Sequence, residues 1–127
     1  MERHKFIREF RKAQPELDME YADSVASGCL DRCHDRFPDY PRGHMNMVSS
    51  MEECAEFTEA LSQRMRGRTD DNWGILEEMA DVILSFMCVA QIYHISHEDI
   101  IKALNIKLDR ESARIEDHLA GIGEQEG

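Results

Sequence analysis

Proline and glycine are scarce in this chain, three and seven in 127 residues, so collagen-like and low-complexity sequences are excluded. Four cysteines are too few for a small disulfide scaffold. Apolar runs are short: none reaches the ~18–20 residues that span a bilayer, so no membrane partner is expected. The basic start Met1-Glu2-Arg3-His4-Lys5 has no apolar stretch behind it. No signal peptide is read there, and a cytoplasmic location is expected. Positive charge is also in short supply. Fifteen Lys and Arg face 26 Asp and Glu, a net charge of −11. Such a surface repels phosphate backbones and argues against a nucleic-acid partner. It leaves room for phosphates that arrive with a divalent metal.

The thiols suit a reducing compartment. Cys29 and Cys33 stand i, i+4 beside His34, a spacing compatible with zinc. No second Cys/His pair accompanies them, so Cys29, Cys33, Cys54 and Cys88 are expected as small hydrophobes.

Helical periodicity fills the rest. Apolar residues recur every three or four positions over 2–13, 16–34, 45–66, 73–93 and 97–119. Phe6, Ile7 and Phe10 mark the first segment. Ala22, Val25, Cys29 and Cys33 mark the second, and Val48, Met51, Ala55, Thr58, Leu61 and Met65 the third. Pro38 and Pro41 hold 36–43 as a loop. Gly67 suits a helix C-cap, and Thr69-Asp70-Asp71-Asn72 offers N-caps for the next helix. That fourth segment is apolar almost all round, so it is expected at the centre of an all-α helical bundle. The short 67–72 connection makes the third and fourth helices an antiparallel central hairpin. One domain is expected over 1–120, its core at 40–115, with 121–127 as a flexible tail.

Two acidic pairs stand on that hairpin. Glu53-Cys54-Ala55-Glu56 and Glu78-Met79-Ala80-Asp81 each place two carboxylates three apart, on one helix face. Glu56 lies ~15 Å from the turn and the second pair ~8–12 Å from it, at 1.5 Å per residue. The pairs are therefore level, and all four carboxylates can converge. Asp81 opens a long apolar run, where a lone carboxylate would cost several kcal/mol. A divalent cation removes that penalty, and oxygen ligands favour Mg²⁺ or Mn²⁺ over zinc. A ferritin-like di-iron bundle needs Glu-x-x-His, which is absent.

Met51-Glu52-Glu53-Cys54-Ala55-Glu56-Phe57 with Leu76-Glu77-Glu78-Met79-Ala80-Asp81-Val82 resembles the MazG-like nucleotide pyrophosphohydrolases. Their signature is Glu-x-x-Glu, a spacer, then Glu-x-x-Asp, and the likeness covers about 40–115. The superfamily includes dimeric dUTPases, dCTPases and phosphoribosyl-ATP pyrophosphohydrolases. The resemblance implies a nucleoside triphosphate substrate, cut between its α and β phosphates to the monophosphate and pyrophosphate. It implies Mg²⁺, with Mn²⁺ as a substitute, on Glu53, Glu56, Glu78 and Asp81, and assembly as a homodimer or homotetramer. Asn105, Lys107 and Arg110 look like the family's phosphate-meeting element on the last helix. Glu53 is the expected proton acceptor, and His44 and Trp73, near helix starts beside the hairpin, are the candidate base contacts. Phe86, Val89 and Tyr93 are the candidate self-association residues. The alternative is a non-catalytic helical interaction module that keeps the bundle.

Overall fold

The computed structural model describes residues 2–126. It contains five helices: α1 (Glu2–Lys12), α2 (Met19–Arg36), α3 (His44–Met65), α4 (Trp73–Ile92) and α5 (His97–Glu126). No strand occurs among the described residues, and the protein is all-α. The chain forms two compact units, residues 1–93 and 94–127.

In the first unit α4 packs against α3, α2 and α1. Each boundary has a local cause. The Asp18 side chain accepts from the Tyr21 N–H at 3.1 Å and starts α2 three residues beyond Pro15. The α2 end is closed by the Phe37 N–H, which reaches the carbonyls of Cys33 and His34. Arg42 then ties the following loop back to α2, its guanidinium 2.7 Å from Asp31 Oδ1. Gly43 holds a left-handed φ of +92° at the start of α3, where a Cβ would meet Ile92 at 2.8 Å. Only glycine fits both demands.

The core sits where α2 crosses α4. Ala26 and Leu30 are 0% and 1% exposed, and Cys88 seals them from α4. Two expected stripes shift here. On α2 the buried line is Ala22, Ala26 and Leu30, and Val25 is exposed. Cys29 and Cys33 flank the core half-buried. On α3 the expected stripe points outward, with Met51 71% and Met65 86% exposed. The face turned to α4 is instead Ser50, Glu53, Phe57, Ala60 and Arg64. Nor is α4 covered all round: Cys88 and Ala90 are buried, while Met79, Ile83 and Phe86 are exposed. An apolar stripe records that a face avoids water, and a second molecule satisfies it as well as a core does.

The second unit is α5. The Ser96 hydroxyl accepts from the Asp99 N–H at 3.1 Å and caps the start of α5. Residues 98–120 are exposed throughout. The helix runs through 121–126. Glycine costs a helix only about 1 kcal/mol per residue, so Gly121 and Gly123 do not stop it. Residue 127 lies outside the described residues.

Candidate metal centre

The α3–α4 turn sets the register of the site. Gly67, at φ +72°, lets the Arg68 N–H fold back to the Gln63 carbonyl at 3.0 Å. Arg64 donates to the Asn72 side chain at 3.1 Å, and Asp71 caps α4 by accepting from the Trp73 N–H at 3.1 Å. The two acidic pairs are thereby held level.

Glu53, Glu78 and Asp81 each offer a carboxylate oxygen, and these atoms lie within 4.8 Å of one another. Glu53 and Glu78 are half-buried. Oε2 of Glu53 and Oε2 of Glu78 are enclosed without a hydrogen-bond partner among the described residues. Glu56 is exposed, and its charge is felt at Glu53, Glu78 and Asp81. Burial, then the charges of Glu56, Asp81 and Glu78, pushes the Glu53 carboxyl up to about 6. Burial followed by Asp81 and Glu56 raises Glu78, and burial followed by Glu56 raises Asp81. Carboxylates crowded and desolvated in this way resist ionising without a cation. Enclosed oxygens that lack donors, in an all-oxygen set, fit a hard divalent metal.

Two cavities adjoin the cluster. One, of about 490 Å³, is lined by Glu56 and Glu78 together with Arg3, Gln63, Arg68 and Thr69. The other, of about 460 Å³, is lined by Glu53 and Asp81 together with Arg32, Arg36, Phe37 and Asn46. The Ser50 and Ser85 hydroxyls meet at 3.1 Å, and Ser85 belongs to the second cavity.

Residues 43–114 match the profile of the MazG nucleotide pyrophosphohydrolase domain. The chain belongs to this family. Both acidic pairs of the MazG domain fall inside the matched segment, and α1 and α2 precede it. Comparison with curated proteins and with solved structures returns no significant match.

Trp73 stands at the hairpin, but its ring packs edge-on against Phe10, 5.2 Å between centroids, and against Phe6. The ring of His44 stacks on Tyr40 at 5.2 Å. Neither residue lines either of the two cavities. Asn105, Lys107 and Arg110 are exposed on α5, in the second unit of the chain. Among the described residues no thiol joins a metal-capable group. Burial, then the neighbouring Cys29 thiol, pushes Cys88 up to about 11, which keeps it a protonated core residue.

Sequence reading missed Arg3. Its Nη1 donates to the Trp73 carbonyl at 3.3 Å, and its guanidinium pairs with Glu77. Five basic residues within ten positions of α1 read as a solvated face, and periodicity carries no signal for a contact seventy residues away.

Proposed function

We propose that this chain hydrolyses a nucleoside triphosphate to the monophosphate and pyrophosphate, with Mg²⁺ or Mn²⁺ held by Glu53, Glu56, Glu78 and Asp81. The convergence of three carboxylates with two unpartnered oxygens supports this reading. The metal supplies the charge that neutralises the phosphate oxygens and the crowded carboxylates. Glu53 takes the proton of the attacking water. The water oxygen bonds to the α phosphorus, the bond to the α–β bridging oxygen breaks, and pyrophosphate departs with that oxygen. Phe37, with the Arg36 guanidinium 5.7 Å from its ring centroid, gives the second cavity a surface for a base. Pyrophosphate release from a panel of nucleotides, with Mg²⁺ and with EDTA, tests the reading. A chain that releases none from any nucleotide is not this enzyme.

Lys107 and Arg110 are proposed to meet the phosphates, with Asn105 beside them. Replacing either cation by Ala is expected to lower kcat/KM by about tenfold or more, the size of one charge-assisted bond. The melting temperature should stay put, because exposed helix positions seldom exceed ~0.5 kcal/mol. Wild-type kinetics in both variants would return these residues to an ordinary solvated face.

The protein is proposed to act in the cytoplasm as a homodimer or homotetramer. The exposed Met51, Met65, Met79, Ile83 and Phe86 support self-association, as does Tyr93 at 58% exposure. Light scattering at micromolar concentration is expected to give at least twice the 14.7 kDa chain mass. A monomer there rejects the assembly.

A further inference from the structure

Four carboxylates divide between two cavities, and the division has a direction. Glu53 and Asp81 face the cavity that also holds Arg32, Arg36 and Phe37, an aromatic ring that the other lining lacks. Glu56 and Glu78 face the one that holds Arg3 and Arg68 with the Gln63 amide and the Thr69 hydroxyl. A triphosphate reacting at the carboxylates extends both ways from its α phosphorus. The base suits the side with the aromatic ring, on which it can stack. The β and γ phosphates then lie on the side of Arg3.

That arginine is delivered by packing. Phe6 and Phe10 close on Trp73, which seats α1 against the first turn of α4. Arg3 lies one turn before Phe6, so its guanidinium arrives beside Gly74, whose added Cβ would stand 3.7 Å from Arg3 Nη2. The positive charge is felt at both Glu78 and Asp81. Two acidic neighbours in the cavity are already engaged: Glu59 accepts from Gln63 at 2.7 Å, and Asp71 caps α4. Among the described residues Glu77 is the carboxylate that pairs with the guanidinium, and the Trp73 carbonyl accepts from Nη1; the five N–H donors of the guanidinium form a fork that suits phosphate.

We propose that Arg3, on a helix outside the matched MazG segment, is a substrate-binding residue that holds the pyrophosphate end of the triphosphate. The proposal rests on the pyrophosphohydrolase reading above. The competing role is structural, a counter-ion that fastens α1 through Glu77. Two variants separate the roles. Arg3→Gln removes the cation, whereas Glu77→Gln breaks the ion pair and leaves the cation free.

The probes are inorganic pyrophosphate and the nucleoside monophosphate, each measured as a product inhibitor with Mg²⁺ present. Arg3→Gln is expected to weaken pyrophosphate inhibition about tenfold or more and to leave the monophosphate within about twofold. Glu77→Gln should bind pyrophosphate as well as the original chain or better. If Arg3→Gln keeps full pyrophosphate affinity, or loses both products equally, the proposal is wrong. It is equally wrong if Glu77→Gln loses pyrophosphate as Arg3→Gln does. A wild-type chain that binds neither product and hydrolyses no nucleotide defeats the underlying reading and this one together. An active wild type with an indifferent Arg3→Gln defeats this one alone.

Discussion

Asp81→Asn is expected to abolish nucleotide hydrolysis while leaving the metal-free protein as stable as the original chain, or more so. The amide keeps the shape of the side chain and removes one charge from a desolvated acidic cluster. Burial and Glu56 both disfavour the ionised form of Asp81, so its charge is a cost to the empty site. With metal the order reverses. A cation that binds only the folded chain adds RT ln(1 + [L]/Kd), about 2.7 kcal/mol at a hundredfold excess over Kd. The Asn variant binds it more weakly and gains less.

The same crowding sets a pH dependence for the metal-free chain. The Glu53 carboxyl is raised from 4.5 to about 6, so the folded state holds its proton more tightly than the unfolded state does. The stability it contributes is fully present below about 4.5 and is lost as pH rises through about 6. In EDTA the melting temperature should therefore gain from this group on descending through that window. Excess Mg²⁺ should oppose the trend, because protons and metal compete for the same oxygens. Melts of both proteins, with EDTA and with Mg²⁺ or Mn²⁺ across that range, measure all of this. The metal assignment fails if the original chain ignores metal and Asp81→Asn still releases pyrophosphate at the normal rate.

The cluster was legible because two independent periodicities had to agree. Spacing of three put each acidic pair on one face, and a short turn put the faces level. Gly67 and Asp71 mark that turn chemically, so its geometry was also within reach. Rotation of the helices about their axes was not. Met51 and Met65 form as good a stripe as any core, yet both point outward. The inner face of α3 instead carries Ser50 and Glu53, whose polarity disguises it. Carboxylates break the hydrophobic pattern on the face where they sit, so the cleanest stripe marked the wrong side. Arg3 was illegible for a different reason. Its place depends on Phe6 and Phe10 finding Trp73, a contact between distant segments that local pattern does not encode.

Rotation of α2 yields the second large effect. Leu30→Ala is expected to destabilise the protein by about 2–5 kcal/mol, the range for emptying a fully buried leucine site. Leu30 is 1% exposed and abuts Ala26 and Cys88, small side chains with little freedom to move into the space. Domains are commonly stable by only about 5–15 kcal/mol, so the loss is a large fraction of the whole. The melting temperature should fall by something on the order of 10 °C. Val25→Ala provides the comparison. The sequence stripe puts Val25 in the core, but it is 37% exposed in the folded chain. Its replacement removes less carbon from a partly wetted site and should cost under about 1 kcal/mol. Thermal or denaturant melts in EDTA rank the two without interference from metal binding. If Val25→Ala proves the costlier change, α2 presents the face read from sequence, and it crosses α4 rotated by a full residue.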